Sequence, residues 1–227
     1  MGLNRIGAAM GDVADRFEIV VVNTDHELNE VFRLRYQVYC LERGFEPAIN
    51  GRESDRFDRS AAHVLLRHRL SGQPVGTVRL VTPASSDGSV RFPIDEICES
   101  LILRQLPSTT SAEISRFALS KRFRTCGDLQ MPLLRLLLVR GIVLLSGRLG
   151  ITHWCALMEP SLLRLLGANS IYFNAAGGLV DHHGLRQPSY GVVSDMLARL
   201  KREQSLIWDF VTAGGSLWEE PKVQKAA

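Results

Sequence analysis

The chain has 227 residues, 45% of them hydrophobic, so it can build one substantial core and is predicted to form a single domain. Its 27 basic and 24 acidic residues give a formal net charge of +3, too small an excess to indicate a nucleic-acid partner. The four cysteines are scattered, with neither a C-x-x-C pair nor histidines at zinc-ligand spacing, so we expect reduced thiols and no metal site.

No long apolar segment precedes a cleavage site at the N-terminus, so a secretion signal is not indicated. The most apolar run, Leu133 to Leu145, is interrupted by Arg135 and Arg140 and is shorter than the ~20 residues that a membrane-spanning helix needs. We therefore expect a cytoplasmic protein without a transmembrane segment.

The first half of the chain is predicted to be rich in strands. After a loose lead-in over residues 1–16, the β-branched run from Phe17 to Asn23 predicts a strand. From Asp25 to Leu41 apolar residues recur at helical spacing, with Thr24 or Asp25 placed to cap the first turn. Pro47 to Ser60 has almost no apolar period and is predicted to be a loop.

The remaining predicted elements alternate between strands and helices. The first two are strands around a Ser-Gly turn signal, which predicts an antiparallel hairpin. In chain order the elements are the strands Ala62–Arg69 and Gly76–Pro83, a short helix Ile94–Arg104, a strand Ala112–Ser120, the main helix Met131–Arg148, a strand Ile151–Met158, a short helix Ser161–Leu166 ended by Gly167, strands at Tyr172–Phe173 and Gly178–His183, and a helix Val192–Gln204.

With residues 214–227 as a polar, frayed tail, the domain is predicted to span residues 17–213. The sequence has no G-x-G-x-x-G motif, and the order of elements favours an α+β sandwich with a mixed sheet over a doubly wound domain.

Several charged residues lie where stability alone would not require them: Arg33, Arg35, Asp55, Asp58, Arg79, Glu113 and Arg116. Each has an ordinary structural interpretation, since a single arginine on a helix is usually solvated and Asp55 and Asp58 suit a turn or a helix cap. Strand alternation places Glu113 and Ser115 on one face and Arg116 on the other, unless a bulge redirects one of them.

Four motifs occur in a specific order: Arg35-Tyr36-Gln-Val38-Tyr39 with Phe45, Asp55-x-x-Asp58, Gly76-x-Val78-Arg79-Leu-Val, and Glu113-Ile-Ser115-Arg116-Phe117. Together they resemble the signature of acyl-homoserine-lactone synthases and of their relatives, the N-acyl amino acid synthases. Leu165-Leu166-Gly167-Ala and His183-Gly184-x-Arg186-x-Pro188 are similar to the N-acyl amino acid synthase and exosortase-associated acyltransferase branch. The resemblance covers residues 17–197.

The resemblance implies a GNAT-like α/β/α sandwich, whose mixed, mostly antiparallel sheet has a splayed pair of central strands and helices on both faces. The thioester arm of the acyl donor would lie in the gap between those strands. The implied donor is 4′-phosphopantetheine of an acyl carrier protein, with a coenzyme A thioester as the alternative and no bound cofactor. The implied reaction moves a fatty acyl group to the amine of an amino acid or a similar small amine.

The resemblance also assigns residues to the site. Catalytic positions are Glu113, Arg116 and Arg79, and substrate-binding positions are Arg35, Tyr39, Phe45, Asp55, Asp58 and Ser115. The lactone synthases carry Phe and Trp where this chain has Tyr39 and Phe45, which weakens the case for lactone formation. Leu133 to Leu145, Trp154 and Phe173 are expected to wall an acyl tunnel.

Aminolysis of a thioester sets three chemical requirements. The carboxylate of Glu113 can take the amine proton directly or through water, and backbone N–H groups of a splayed strand can stabilise the oxyanion. If the acceptor is an amino acid, Arg79 or Arg116 can bind its carboxylate. In the competing interpretation the arginines bind Asp55 and Asp58 and lock the loop over the site. We favour a mixture of the two.

A basic segment lies between the site strand and the main helix and contains Lys121, Arg122, Arg124 and Gly127. It resembles a reduced GNAT phosphate loop, which would hold the phosphopantetheine phosphate and the acidic surface of the carrier protein. The missing second glycine weakens coenzyme A binding. A solvated basic turn is an equally good interpretation.

Two other functions remain open: an acyl-homoserine-lactone synthase that uses S-adenosylmethionine, and a non-catalytic acyl-carrier or lipid-binding module. His182 and His183 are adjacent, so on a strand they point to opposite faces and do not form a joint metal site. Cys126 lies beside basic residues, but no His and acid pair is placed to make it a nucleophile. Direct transfer is expected.

Overall fold

A central sheet organises the computed structural model, which describes residues 3–83, 90–123 and 130–219. Within these residues eight strands are arranged in the order β1-β2-β3-β4-β5-β8-β6, with β7 paired to β8. Strands β4 and β5 are parallel neighbours, and the other described strand pairs are antiparallel. The strands are β1 Phe17–Val21, β2 Ala61–His68, β3 Pro74–Val81, β4 Ser111–Leu119, β5 His153–Met158, β6 Asn174–Ala175, β7 Val180–Asp181 and β8 Leu185–Val192.

Helices cover both faces of the sheet, as the sequence predicts. The α-helices are α1 Leu3–Arg16, α2 Asp25–Arg35, α3 Leu101–Arg104, α4 Gln130–Leu149, α5 Pro160–Gly167, α6 Val193–Glu203 and α7 Ser205–Thr212. On one face the largest core cluster joins α1, α4, α6 and α7 to the sheet. On the other face α2 packs on β2, and α3 packs near Val81 and Cys155. No helix among the described residues is long and apolar enough to cross a membrane.

The parallel pair of central strands is splayed. Strand β4 pairs with β3 as far as Leu119, but it pairs with β5 only at Ser111, Ala112 and Glu113. Beyond Glu113 the two parallel strands diverge. The register between β3 and β4 shifts next to Arg116, whose φ of +51° is left-handed, so a bulge bends β4 where the gap opens. The expected gap between central strands is confirmed.

The prediction of a loose segment before Phe17 is wrong for its described part, because residues Leu3–Arg16 form α1. Ile6, Met10 and Val13 recur at helical spacing, and the last two are buried in the core. The prediction of a frayed tail is also wrong for residues 214–219. Leu217 and Trp218 pack on the core, and the carbonyl of Leu217 lies against the Cα of Gly147, where a side chain would collide.

The C-terminal half differs most from the prediction. Strand β8 was not predicted, although it lies between β5 and β6, because Pro188 and Gly191 interrupt its apolar pattern. Helix α7 was not predicted either. The strand predicted at Tyr172–Phe173 is wrong, because the two-residue strand β6 begins at Asn174, and the strand predicted at Gly178–His183 is reduced to the two residues of β7.

Two predicted helices also change their form. The helix predicted from Asp25 to Leu41 becomes a π-helical turn at Tyr36–Glu42, after a start at which Thr24 forms a capping box with Glu27. The helix predicted from Ile94 to Arg104 is split into a 3₁₀ turn, Pro93–Glu96, and α3.

We expect Met10→Ala to lower the free energy of unfolding by about 2–5 kcal/mol, because it removes a buried side chain from the contact between α1 and the core. Urea denaturation measures the effect as a lower midpoint at an unchanged m-value. Arg5→Ala, on the exposed side of the same helix, is the matched control. Equal stability of both variants would mean that α1 is not docked.

Candidate active site

Three arginines and three carboxylates form a buried ion network between the sheet and the loop before β2. Arg35 comes from the end of α2, Arg79 from β3 and Arg116 from the bulge in β4, and the first two are fully buried. The partners are Glu53, Asp55 and Asp58, which belong to the loop and the 3₁₀ turn Arg56–Ser60. Three positive and three negative charges leave the network neutral.

The contacts within the network are direct. Arg79 Nη1 lies 2.6 Å from Asp55 Oδ1 and 2.8 Å from Asp58 Oδ1. Arg35 Nη1 donates to Asp58 Oδ1 at 2.6 Å, and its Nε donates to Glu53. Arg116 Nε and Nη2 donate to Glu53 Oε1 at 3.0 and 2.9 Å. Every arginine therefore bonds at least one carboxylate.

Local structure explains why these side chains converge. Asp55 caps the 3₁₀ turn by accepting from Phe57 N at 2.9 Å, and Asp58 accepts from Asp55 N at 2.7 Å. Arg79 Nε donates to Ser115 Oγ at 3.0 Å, which places Ser115 on the same face of the sheet. The bulge then turns Arg116 towards that face too. The two aspartates are thus both capping residues and ion partners.

Electrostatics favour the charged form of each carboxylate. Burial alone raises the pKa of Asp58, but the charge of Arg35 and its hydrogen bond, together with Arg79, lower this pKa to about 2. Burial likewise raises the pKa of Glu53, yet the hydrogen bond and charge of Arg35 leave that pKa below its usual value. The arginines are therefore paired within the protein, which supports the interpretation that they lock the loop over the site.

Glu53 was not singled out from the sequence, although it bonds both Arg35 and Arg116. Glu53 precedes Asp55 by two residues in the same polar loop, but nothing in that spacing indicates that its side chain reaches Arg35 and Arg116.

Glu113 lies apart from this network. Its side chain is buried beside Val81 and Cys155, its neighbours in β3 and β5, and Oε2 accepts a hydrogen bond from Ile94 N at 2.7 Å. Burial raises the pKa of Glu113 to about 8, although the bond from Ile94 opposes this rise. At neutral pH the group is mostly a neutral carboxylic acid. In that form its carboxyl O–H can donate a hydrogen bond, and only the minor ionised form can act as a base.

A cavity of about 350 Å³ passes through the gap between β4 and β5. Glu113, Ser115 and Arg116 line it on one face of the sheet. On the other face its lining is mainly apolar and comes from β4, α4, β5, α5 and the segment after α5. These residues include Ile114, Phe117, Met131, Val139, Ile142, Trp154, Ala156, Met158, Leu162, Leu165, Leu166, Ile171 and Phe173. The cavity thus has a polar mouth and an apolar interior, and Trp154 and Phe173 line it as expected.

The two aromatic residues expected from the sequence both line the polar part. The guanidinium carbon of Arg116 lies 5.4 Å from the centroid of the Tyr39 ring. Phe45 stacks on His183 at 5.0 Å, with the guanidinium carbons of Arg43 and Arg186 at 5.4 and 5.8 Å from its centroid.

The mouth also carries charged residues that were not assigned a role from the sequence. Arg43 Nη1 and Arg186 Nη2 approach the same oxygen, Glu159 Oε1, at 2.8 and 3.4 Å. His183 Nε2 lies 3.5 Å from Glu46 Oε1. The sequence feature that pointed to this region was the His183-Gly184-x-Arg186-x-Pro188 motif. In the fold, the turn between β7 and β8 that contains His183 lies against the segment after α2.

The predicted carrier-binding segment is described only in part. Lys121 Nζ donates to the carbonyl of Glu42 at 2.9 Å, and Arg122 Nη2 donates to Gln37 Oε1 at 3.4 Å. Both are exposed. Since Arg43 at the mouth directly follows Glu42, Lys121 lies near the rim of the cavity. Arg124 and Gly127, like Cys126, lie outside the described residues.

A family model matches part of the chain. Residues 34–132 match the family model described as acetyltransferase (GNAT) domain. This part of the chain is therefore similar to a GNAT acetyltransferase domain, and the similarity indicates an acyltransferase. No curated protein matches the chain by sequence.

Solved structures give the more particular relationship, which is one of fold. The acyl-homoserine-lactone synthase LasI is 17% identical, with a TM-score of 0.60 over 78% of this chain and 89% of that chain. BjaI, a coenzyme A-dependent acyl-homoserine lactone synthase, is 20% identical, with a TM-score of 0.60 over 82% and 88%. FeeM, an N-acyl amino acid synthase from uncultured soil microbes, is 15% identical, with a TM-score of 0.56 over 81% and 94%. The chain has the fold of both groups of synthases, which supports the resemblance found in the sequence.

We expect Glu53→Gln to lower the free energy of unfolding by about 3–5 kcal/mol, because it leaves the three arginines of the network with two carboxylates and so leaves one positive charge uncompensated. Glu18→Gln is the control, since Glu18 pairs with Arg67 and Arg69 at the surface, where such pairs contribute at most about 1 kcal/mol. Urea denaturation at pH 7 compares the two. A similar loss of unfolding free energy in the two variants would contradict the buried ion network.

The pKa of Glu113 predicts a distinct pH dependence of stability. The folded protein holds this proton up to pH about 8, whereas the unfolded chain releases it near the ordinary value of 4.5. The contribution of Glu113 is therefore fully present below pH 4.5 and is lost as the pH rises towards 8. Relative to wild type, Glu113→Gln should gain about 3 kcal/mol between pH 4.5 and 7, because each pH unit in this range costs the wild type about 1.36 kcal/mol. Parallel stability curves for the two proteins would refute the raised pKa.

Proposed function

We propose that the protein is an N-acyltransferase that moves a fatty acyl group from the thioester of an acyl carrier protein to the amine of an amino acid. The cavity between the diverging strands β4 and β5 is the observation that carries this proposal. Its apolar interior suits an acyl chain, and its charged mouth suits a zwitterionic acceptor.

The donor half of the reaction follows from the gap. An acyl chain in the apolar interior leaves water, a gain of about 0.8 kcal/mol for each buried CH₂ group. In the described residues β4 is not paired with β5 beyond Glu113. The backbone N–H groups of β4 that face the gap can therefore reach a thioester carbonyl. Such groups can stabilise the tetrahedral oxyanion. Glu113, in its neutral form, can add a hydrogen bond to the same oxygen.

The acceptor half follows from the charges at the mouth. Arg79 is fully buried with Asp55 and Asp58, so a substrate carboxylate requires other cations. Arg43 and Arg186 share a single carboxylate, that of Glu159, and together can bind the carboxylate of an amino acid. Glu46 provides a negative charge nearby for the ammonium form of the acceptor before it loses its proton.

The ion network has a positioning role in this mechanism. Arg35, Asp55, Asp58 and Arg79 hold the loop against the sheet, and Arg116 joins that network to the ring of Tyr39. Ser115 completes the polar wall by binding Arg79. Phe45 provides an aromatic face between the two mouth arginines.

The carrier protein is proposed as the donor because Lys121 and Arg122 are exposed close to the rim of the cavity. Basic groups there can bind the phosphopantetheine phosphate and the acidic surface of a carrier. Arg124 and Gly127 remain predicted members of this patch.

An acyl-transfer assay tests the proposal. The purified protein is incubated with acyl carrier proteins that bear long acyl chains and with a pool of amino acids, and N-acyl products are measured by mass spectrometry. We expect N-acyl amino acids, and a much lower yield from matched amines that lack the carboxylate. Absence of product with carrier thioesters would refute the stated donor, and absence with coenzyme A thioesters as well would refute the function.

The same assay separates the alternatives. Release of methylthioadenosine with S-adenosylmethionine as acceptor would identify an acyl-homoserine-lactone synthase instead. Tight binding of the acylated carrier without any product would identify a non-catalytic binding module.

A further inference from the structure

The turn between β7 and β8 presents a histidine to the cavity. His182 N donates to the carbonyl of Gly184 at 3.0 Å, and Gly184 N donates to Asp181 Oδ1 at 3.2 Å. Arg186 Nη2 also binds the carbonyl of His183 at 2.8 Å. These bonds hold His183 in a left-handed conformation, with φ of +54°. Few residues other than glycine adopt this backbone state, although histidine does so more readily than most, and the surrounding bonds stabilise this particular turn.

The ring of His182 is available to a ligand. It lines the cavity, and its ring contact is with His183, at 4.5 Å between centroids. Neither of its nitrogens has a hydrogen-bond partner among the residues that the structure describes. Its neighbour differs, because the His183 ring stacks on Phe45 and approaches Glu46.

The other acids and bases that line the cavity are engaged or carry a proton. Glu159 accepts from Arg43 and approaches Arg186, and Glu46 approaches His183. Glu113 is mostly protonated at neutral pH, because burial raises its pKa to about 8. Of the ionisable groups in the described lining, His182 is the one that combines a neutral form at pH 7 with unbonded nitrogens.

The charges around His182 favour its neutral form. Burial lowers the pKa of His182 first of all, and the positive charges of Arg116 and Arg186 lower it further, as does His183. The negative charge of Glu46 raises the pKa of His182, but it does not offset these effects. Arg43, Arg135 and Glu159 also line the cavity, on the segments packed around it.

We propose that His182 is the base that removes the proton from the acceptor amine, an inference that rests on the proposed N-acyltransferase function. The acceptor's ammonium group first releases one proton to water. The neutral amine nitrogen then attacks the thioester carbon and forms the C–N bond. A proton of that nitrogen passes to a ring nitrogen of His182. The C–S bond then breaks, and the imidazolium returns its proton to the leaving thiolate. The products are the amide and the free thiol, and His182 is neutral again.

The test compares two acceptors in the variant His182→Gln. With an amino acid as acceptor we expect kcat to fall about 10²–10⁴-fold, the usual contribution of a general base. With hydroxylamine we expect a loss of less than about tenfold, because the adduct of hydroxylamine releases its proton readily to water and does not need His182 as base. In wild type kcat should also decline as the pH falls through the lowered pKa of His182, and the variant should lack this limb.

Controls separate a chemical role from a structural one. His26→Gln replaces a histidine on α2 whose side chain is 84% exposed and does not line the cavity, and it should retain wild-type rates with both acceptors. The thermal midpoint of His182→Gln should equal that of wild type. Equal losses with both acceptors, or a loss below about threefold with the amino acid, would overturn the role of His182 while the proposed function stands. A wild-type protein that acylates neither acceptor would refute the proposed function, and the role of His182 with it.

Discussion

The buried ion network is the constraint on which the site depends. Moving six charged groups out of water is costly, and removing any one partner would leave an uncompensated charge inside the protein. The network is neutral because three arginines from α2, β3 and β4 meet three carboxylates from one loop. Its main effect is therefore on geometry. It fixes the loop and the segment with Tyr39 against β4, so that the mouth of the cavity has a defined shape.

One local irregularity serves both the network and the cavity. The left-handed residue Arg116 lies in a bulge, which turns its guanidinium towards Glu53 and Asp55. The same bulge bends β4 in the stretch where its pairing with β5 has ended. A regular strand would point Arg116 to the opposite face. The ion pairs of Arg116 with Glu53 and Asp55 compensate the strain of its backbone, and they hold the bend in place.

The sequence predicted the parts whose signals are local. The hairpin of β2 and β3, strand β4 and helix α4 have clear periodicity. The ordered motifs also named five of the six residues that form the ion network. What escaped prediction depends on distant contacts. Pro188 and Gly191 concealed β8, which is a strand because β5 and β6 lie on either side of it. Glu53 joins the network only because the loop folds back onto Arg116, and no pattern near Glu53 encodes that contact.

Burial gives the cavity two complementary groups at neutral pH. It disfavours the charged form of any side chain, so it raises the pKa of Glu113 and lowers that of His182. Glu113 is thereby kept as a hydrogen-bond donor, and His182 as a proton acceptor. In the ion network the arginines lower the pKa values of the carboxylates that they bind, so these carboxylates stay charged. At neutral pH the loop acids Glu53 and Asp58 are therefore ionised, whereas Glu113 in β4 is mostly protonated, although all three are buried or nearly buried. The difference follows from whether each side chain has an arginine or an apolar wall beside it, which sequence spacing alone does not specify.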